Sequence, residues 1–295
     1  MNWRHRYGHS PPPDPVSKVR RMSLQNLAAN HDVFLIDQFG TVHDGTHPYP
    51  GALDALYQLR AMGKQVALLS NSGRRAGPNA ERLAKIGVPD DAYDLNISSG
   101  EVAYHMLAAG ILPEATGASR CLLISRDHDC SLLEGNGLTM TNDPQECDLV
   151  IIGGSEGEKV LLADYRTLLA PAAARRVPAL CVNPDLVMLT PRGQAFGAGR
   201  IAELYIELGG LVRWIGKPFP SIYDYTLRLL GDPPRERVVA IGDSVRHDIK
   251  GARAAGCHAV LVLTGIAGPA VLDDELHPDM ILPGLRWDAR AVREH

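Results

Sequence analysis

Carboxylates stand directly after two short apolar runs of this sequence. Asp37 follows residues 33–36, and Asp243 follows residues 238–241, with a second carboxylate, Asp248, five residues further on. Short apolar, β-rich runs are typical of buried parallel strands, and open α/β sheets bind ligands at the carboxyl ends of such strands. Magnesium takes oxygen ligands and usually binds through one or two carboxylates together with water and phosphate. The paired aspartates after the second run therefore indicate a metal site.

Neutral donors and one lysine complement these carboxylates. Ser70, Asn71 and Ser72 follow the apolar run 66–69, and short neutral donors on such a turn could hold an oxyanion without adding charge. Alone this is a weak signal, because serine and asparagine are also common helix caps and turn residues. Lys217 stands in a Gly-Lys-Pro sequence, whose turn favours a fixed cation that neutralises a carboxylate or a phosphoryl oxygen.

The elements that must position these side chains alternate along the chain. Apolar β-rich runs predict strands at 33–36, 65–69, 120–124, 149–152, 179–182, 237–241 and 259–263. Helices are predicted between them, among them 53–62 and 222–230. This alternation is typical of a parallel sheet flanked by helices, so the predicted fold class is α/β.

Composition limits the classes of protein. The 295 residues are 45% hydrophobic and 22% charged, which is typical of a folded globular protein. A net charge of −4 argues against a protein that coats nucleic acid, and no stretch approaches the roughly 20 apolar residues of a membrane helix. The five cysteines include no Cys-x-x-Cys pair, which favours reduced thiols and a cytoplasmic location. Residues 1–22 are basic and proline-containing without an apolar signal region, and are interpreted as a mobile tail or a partner-contacting arm.

Taken in chain order, Asp37, Ser70, Lys217 and Asp243 with Asp248 resemble the four motifs of the haloacid dehalogenase superfamily. Further segments resemble its class IIA branch, the NagD-like and nitrophenyl-phosphatase-like phosphatases. These segments are 40–45, 49–52, 69–72, 183–185 and 216–218. The resemblance covers about residues 30–268, nearly the whole chain.

The resemblance implies a Rossmann-like parallel-sheet core that is discontinuous in sequence. This core would comprise residues 23–78 and 184–295, with a smaller α/β cap domain of the class IIA type inserted as residues 79–183 and residues 1–22 as a tail. Caps of this size often pack against one another in the family, so a homo-oligomer is a further expectation. The implied partner is a small phosphorylated metabolite, with no nucleic acid and no membrane.

The resemblance also implies a role for each matching residue. Asp37 is the nucleophile that takes the phosphoryl group as an aspartyl phosphate, and Lys217 assists it. The side chains of Asp37 and Asp243, with the backbone carbonyl of Phe39, hold Mg²⁺. Asp248 supports Lys217 or a metal-bound water. Together with Lys217, five residues bind the phosphate or face the substrate: Ser70, Asn71, Ser72, Asn183 and Asp185.

Phe39 departs from the family pattern. Hydrolytic members typically carry an aspartate at this position, which protonates the leaving alkoxide and then activates water. Losing a general acid and base typically costs about 10²- to 10⁴-fold in rate, or roughly 3 to 5 kcal/mol of barrier. The metal site survives the substitution, because only the backbone carbonyl of this residue contributes to it.

Three explanations of Phe39 compete. The protein is a phosphohydrolase whose leaving group needs little protonation, or one that borrows a proton relay from His43, Asp44 or His247. Alternatively it is a catalytically impaired protein that binds a phosphorylated metabolite. The third explanation is a metal-independent 2-haloacid dehalogenase, in which an aromatic residue occupies this position. Against the third, three clustered carboxylates without a balancing cation would repel one another.

Overall fold

The structure is a computed structural model, and it describes residues 23–190, 193–265 and 277–287. In chain order the strands are β1 (Val33–Asp37), β2 (Gln65–Ser70), β3 (Leu95–Ser98), β4 (Arg120–Ile124), β5 (Thr139–Met140), β6 (Leu149–Ile152), β7 (Pro178–Cys181), β8 (Val187–Thr190), β9 (Gly193–Phe196), β10 (Leu211–Trp214), β11 (Val238–Gly242), β12 (His258–Val262) and β13 (Met280–Leu282). The helices are α1 (Leu24–Asn30), α2 (Ala52–Ala61), α3 (Ala76–Lys85), α4 (Ser99–Ala108), α5 (Leu162–Ala174), α6 (Ala198–Glu207), α7 (Pro220–Leu229) and α8 (Lys250–Ala254). The predicted tail, residues 1–22, lies outside the described residues.

A six-stranded parallel sheet forms the first layer. Its strand order is β13-β12-β11-β1-β2-β3, so β1 lies centrally between β11 and β2. Every residue of β1 and β11 is buried, as expected for strands covered by helices on both faces. Because the strands are parallel, their carboxyl ends lie along one edge of the sheet, where α/β proteins bind ligands.

A second parallel sheet of five strands has the order β10-β7-β6-β4-β5. One face packs on α5 and α6 around buried side chains such as Leu169, Ile201 and Tyr205. The other face joins the apolar core beneath the first sheet, since Leu149, Ile151 and Leu180 belong to one cluster with residues of β1 and β2. An antiparallel hairpin, β8 with β9, follows β7.

The predicted boundaries at residues 79 and 183 do not coincide with the membership of the two sheets. β3 lies within the segment predicted as the inserted domain, yet it pairs with β2 in the first sheet. Conversely, β10 lies beyond residue 183 but pairs with β7 in the second sheet. The strands of the second sheet therefore extend from residue 120 to residue 214, and backbone pairing across long sequence separations determines this limit.

The seven strands predicted from apolar runs are present as β1, β2, β4, β6, β7, β11 and β12, and the two named helices as α2 and α7, with small shifts at their ends. β3, β5, β10, β13 and the β8–β9 hairpin were not predicted. Each of these strands has only two to four residues, and all but β13 include a polar residue. In the part of the chain that the structure describes, no helix combines the length and the apolar character of a membrane span.

Candidate active site

Two carboxylates and a hydroxyl lie at the ends of three neighbouring strands. Asp37 is the last residue of β1, and Asp243 directly follows Gly242 at the end of β11. On the other side of β1, Ser70 ends β2, one residue beyond the Leu69 that pairs with Asp37. The parallel register therefore brings together side chains that are up to about 200 positions apart in the sequence.

Lys217 places a buried ammonium group among these carboxylates. Its Nζ donates to Asp37 Oδ1, and to Asp248 Oδ1 at 2.7 Å. Only 3% of Lys217 is exposed. Burial lowers the pKa of Lys217, but the charges of Asp248 and Asp37 outweigh that effect, and the net pKa lies well above its usual value. Lys217 is consequently a permanent cation at this site.

The carboxylates of Asp37, Asp243 and Asp248 form a cluster, with one oxygen from each within 4.8 Å of the others. Burial raises the pKa of Asp37 well above its usual range; Lys217 opposes this shift, and the charges of Asp248 and Asp243 add to it. One ammonium thus faces three carboxylates, and an added cation would balance the remaining charge.

The shape and chemistry of this cluster fit a hard divalent cation. The backbone approaches Asp243 so closely that a methyl group at Gly40 or Gly265 would collide with its carboxylate. All donors are oxygens, the ligands that Mg²⁺ and Ca²⁺ prefer. Asp248 uses both oxygens for protein donors, because Oδ1 accepts from Lys217 and Oδ2 accepts from the Ser244 N–H at 3.0 Å. Asp37 likewise has both oxygens bonded, to Lys217 and to Thr41, so the assignment of Asp37 and Asp243 as side-chain ligands stays a prediction from the resemblance.

Asn71 fixes the backbone of Lys217. Its Oδ1 accepts from the Lys217 N–H at 2.7 Å, and its Nδ2 donates to the Lys217 carbonyl at 3.0 Å. The same Nδ2 donates to Asp185 Oδ1 at 2.9 Å. His247 Nδ1 lies 3.5 Å from that Asp185 oxygen, so Asp185 joins the loop after β7 to both the β2 and the β11 strand ends.

Ser72 and Asn183 make mainly local hydrogen bonds. Ser72 Oγ accepts from the Arg74 N–H at 3.3 Å, and Asn183 Oδ1 accepts from the Asp185 N–H at 3.2 Å. Ser70 Oγ accepts from the Ser72 N–H at 3.3 Å. These bonds shape the turns at the ends of β2 and β7, while the roles of these residues toward a substrate stay predictions.

Two threonines that sequence reasoning missed support the loop after β1. Thr41 Oγ1 donates to Asp37 Oδ2 at 3.3 Å, and Thr264 Oγ1 donates to the Gly40 carbonyl at 2.7 Å. Thr41 had a sequence signal, because a hydroxyl four residues after a strand-end carboxylate can turn back toward it. Thr264 had none, since 224 positions separate it from Gly40.

The Phe39 ring is half-buried and packs edge-to-face against His43, with 5.9 Å between the ring centroids. His43 is 2% exposed, and its Nδ1 accepts from the Gly45 N–H at 3.0 Å. Burial, aided by Arg82 and opposed by Asp44, lowers the pKa of His43 from 6.5 to about 4. His43 is therefore a neutral acceptor, and the structure does not place it as an acid at neutral pH.

The Asp44 carboxylate accepts hydrogen bonds within its own turn. Its Oδ1 accepts from the Thr46 N–H and the His47 N–H, both at 2.8 Å, and from Thr46 Oγ1 at 2.7 Å. The bond from the Thr46 hydroxyl, followed by the backbone bonds, lowers the pKa of Asp44 far below its usual range. Asp44 is thus an exposed, ionised turn carboxylate.

Loops from the second sheet border the turn after β2. Arg74 Nη2 donates to Asp127 Oδ2 at 2.6 Å, and its Nε lies 3.6 Å from Asp129 Oδ2, both in the loop after β4. The loop after β6 touches the same turn, where a methyl group at Gly73 would collide with the Gly153 carbonyl. The strand-end loops of both sheets therefore meet beside the site.

This arrangement, with carboxylates at neighbouring strand ends and a buried lysine from a loop, defines the haloacid dehalogenase fold and site. A protein-family model described as "Haloacid dehalogenase-like hydrolase" matches residues 34–139. A second family model, of HAD-hydrolase-like proteins, matches residues 214–287. The chain belongs to the haloacid dehalogenase superfamily, in its class IIA branch.

One relative and two solved structures illustrate the similarity. D-glycerol 3-phosphate phosphatase of Mycobacterium tuberculosis is 29% identical over 246 residues, which are 82% of this chain and 66% of that protein. The crystal structure of 4-nitrophenylphosphatase from Thermotoga maritima is 26% identical with a TM-score of 0.72, covering 88% of this chain and 97% of that one. Glycerol phosphate phosphatase from M. tuberculosis in complex with magnesium is 28% identical with a TM-score of 0.71, covering 88% and 77%.

Proposed function

We propose that this protein is a Mg²⁺-dependent phosphohydrolase that acts on a small phosphorylated molecule through an aspartyl phosphate on Asp37. The observation that carries the proposal is the placement of Asp37 at the end of a central strand, bonded to Lys217 and beside Asp243. Phosphoryl transfer depends mainly on positioning and charge stabilisation, and a strand end fixes the attacking oxygen.

Each residue has a part in this reaction. Asp37 attacks phosphorus, while Lys217 and the Ser70 hydroxyl bind the phosphoryl oxygens. Asp37 and Asp243, with the Phe39 backbone carbonyl, hold the metal, and bound Mg²⁺ supplies the positive charge that lets a carboxylate approach a phosphate dianion. Asn71 fixes the backbone of Lys217, and Asp248 fixes its ammonium.

The relatives support both parts of the proposal. The similar M. tuberculosis protein is named as a phosphatase of glycerol 3-phosphate, and the similar glycerol phosphate phosphatase structure holds magnesium. The Thermotoga maritima structure is that of a 4-nitrophenylphosphatase. Phe39 is the residue at which this chain departs from the pattern that the resemblance implies.

The proposal is tested by phosphate release from a panel of phosphomonoesters, acyl phosphates and phosphoanhydrides, with Mg²⁺ or with chelator. We expect turnover that requires Mg²⁺ and that Asp37→Asn abolishes. Asp54→Asn serves as the control, because Asp54 is an exposed carboxylate in the first turn of α2. Calorimetry with Mg²⁺ alone establishes that the metal is bound in each variant.

Other results would assign a different function. Bound Mg²⁺ without turnover of any panel member would contradict the proposal, and vanadate binding by the same protein would then indicate a phosphate-binding protein. Halide release from 2-haloacids in chelator would instead show a metal-independent dehalogenase.

A further inference from the structure

A phenyl ring occupies the position from which family members protonate the leaving group. Phe39 carries no dissociable side-chain proton, and its ring is fixed by the edge-to-face contact with His43. The ring also lies against Gly45, where an added methyl group would come within 3.0 Å of Phe39 Cε2. Position 39 therefore offers no carboxyl group to a substrate.

The neighbouring proton carriers are engaged in other contacts. His43 is buried and its Nδ1 accepts the Gly45 N–H, while the Asp44 carboxylate accepts three bonds from Thr46 and His47. The ammonium of Lys217 is divided between two carboxylates. These hydrogen bonds hold the side chains of His43, Asp44 and Lys217 to partners within the protein.

His247 is the third of the proton carriers named from the sequence, and it too has contacts of its own. Its Nδ1 lies 3.3 Å from Ser244 Oγ and 3.5 Å from Asp185 Oδ1. Asp185 in turn accepts from Asn71. The imidazole thus lies at the junction between the loop after β7 and the end of β11.

We infer that the substrates of this site are phosphoryl donors whose leaving group departs as a stable anion, with acyl phosphates as the best class, and that the aspartyl phosphate accumulates on Asp37. The inference rests on the proposed function and narrows its substrate class. Alkyl phosphates require protonation of an alkoxide, which Phe39 does not supply. A carboxylate leaving group requires none.

The atoms balance in both steps. In the first, an Asp37 oxygen forms a bond to phosphorus while the bond between phosphorus and the acyl oxygen breaks, and the acyl group leaves as a carboxylate. In the second, a water oxygen attacks phosphorus, the bond between phosphorus and Asp37 breaks, and the water proton passes to phosphate or solvent. Without a positioned base the second step is slow, since general base catalysis typically contributes about 10²- to 10⁴-fold.

Three donors test the leaving group: acetyl phosphate, 4-nitrophenyl phosphate and glycerol 3-phosphate, which leave as a carboxylate, a phenolate and an alkoxide. With Mg²⁺ present, we expect kcat/KM to fall in this order, with at least a 100-fold difference between the first and the last. Asp37→Asn corrects for spontaneous hydrolysis of acetyl phosphate. A donor with a phosphoanhydride, inorganic pyrophosphate, distinguishes acyl phosphates from anhydrides as the preferred class.

Two substitutions of Phe39 measure the effect that a carboxyl group at this position has on turnover. Phe39→Asp is expected to raise kcat on glycerol 3-phosphate by about 10²- to 10⁴-fold. Phe39→Asn matches Phe39→Asp in size but has no acidic proton, so the ratio of kcat between these two variants isolates the contribution of the carboxyl group. Thermal unfolding of both variants shows whether they are folded.

The accumulated intermediate gives a readout independent of turnover. Intact-protein mass spectrometry during turnover of acetyl phosphate should show a phosphorylated fraction in the wild type that hydroxylamine removes. That fraction should be much smaller in Phe39→Asp and absent in Asp37→Asn.

The wild-type series alone can overturn the inference. Equal kcat/KM for acetyl phosphate and glycerol 3-phosphate would show that a proton donor is present, and loss of the glycerol 3-phosphate rate in His247→Asn would identify it. Either result leaves the phosphohydrolase intact. Failure of all donors to turn over or to phosphorylate the Mg²⁺-bound protein would instead remove the proposed function and this inference with it.

Discussion

Lys217 and Asp248 form a buried ion pair, with 2.7 Å between Nζ and Oδ1, and the same ammonium donates to Asp37. The lysine comes from the loop after β10, and the aspartate from the π-helical turn after β11. One cation thus joins the carboxylates of Asp248 and Asp37.

Removing this cation should destabilise the protein. Lys217→Met leaves Asp37 and Asp248 buried without their partner, and breaking a buried pair in this way costs about 3 to 5 kcal/mol. The free energy of unfolding in urea, measured in chelator, checks this value. Lys250→Met, at an exposed lysine of α8, should change it little. Equal losses in the two variants would contradict the pairing.

A methyl group at Gly40 should weaken Mg²⁺ binding. The backbone of Gly40 has φ +87°, and the added Cβ would meet the Asp243 carboxylate. Gly63→Ala is a matched control, because Gly63 has φ +71° with open space around its Cβ position. Both variants should lose about 1 to 2 kcal/mol of stability from the left-handed backbone.

Only Gly40→Ala should also reduce the affinity for Mg²⁺, as measured by calorimetry. A Gly40→Ala variant that binds Mg²⁺ as tightly as Gly63→Ala would show that Asp243 is not a ligand.

The contribution of His43 to the stability of the protein should fall as the pH falls from about 6.5 toward 4. Burial, with Arg82 adding to it and Asp44 opposing it, lowers the pKa of His43 in the folded protein to about 4. In this window the unfolded chain binds a proton at this residue and the folded protein does not, so protonation favours unfolding. The lowered pKa of His31, which burial also causes, acts in the same direction.

For His43 alone the expected loss is at most about 3 kcal/mol. Urea unfolding at several pH values should show a shallower slope in His43→Asn than in the wild type. His47→Asn, at an exposed histidine, should retain the wild-type slope. A slope unchanged in His43→Asn would place the titrating group elsewhere.

Loss of the Asn71 amide should lower both stability and activity. Asn71→Ala leaves the buried Lys217 N–H and carbonyl without the bonds that they make to Asn71, at a cost of about 1 to 3 kcal/mol. Asn79→Ala removes another buried amide, which bonds Gln38 and Asn96 instead. Both should unfold at lower urea concentration.

Phosphate release should separate the two asparagine variants. Asn71→Ala is expected to reduce kcat more strongly, because it loosens the residue that carries the ammonium. A kcat reduced equally in both variants would mean that the effect is one of general stability.

The strands that hold the site could be predicted from the sequence because their signals are local. β1 is an apolar run that ends at Asp37, and β11 is one that Asp243 follows. Burial on both faces requires such runs. β3 was missed because Asn96 and Ser98 interrupt its apolar residues; its pairing with β2 defines it. β10 likewise depends on pairing with β7, so the limits of the second sheet could not be predicted.

In the candidate site too, the features with a local sequence signal could be predicted and those that depend on distant contacts could not. The strand-end carboxylates and Lys217 could be identified from residue type and position, and their proximity follows from the parallel sheet. The hydrogen bonds between the Asn71 side chain and the Lys217 backbone join residues 146 positions apart, and no local sequence pattern predicts them. The enclosure of His43 by its neighbours is likewise a result of packing, although its type suggested a proton relay.

The contact between Gly73 and the Gly153 carbonyl has a practical consequence for changing substrate preference. At this point the two strand-end loops touch through main-chain atoms, so any larger residue at position 73 would displace a backbone. A mutant library aimed at new substrates should therefore keep both glycines fixed. The loop after β4 needs the same care, because Asp127 and His128 have a left-handed backbone, with φ 54° and 56°, which most side chains adopt rarely.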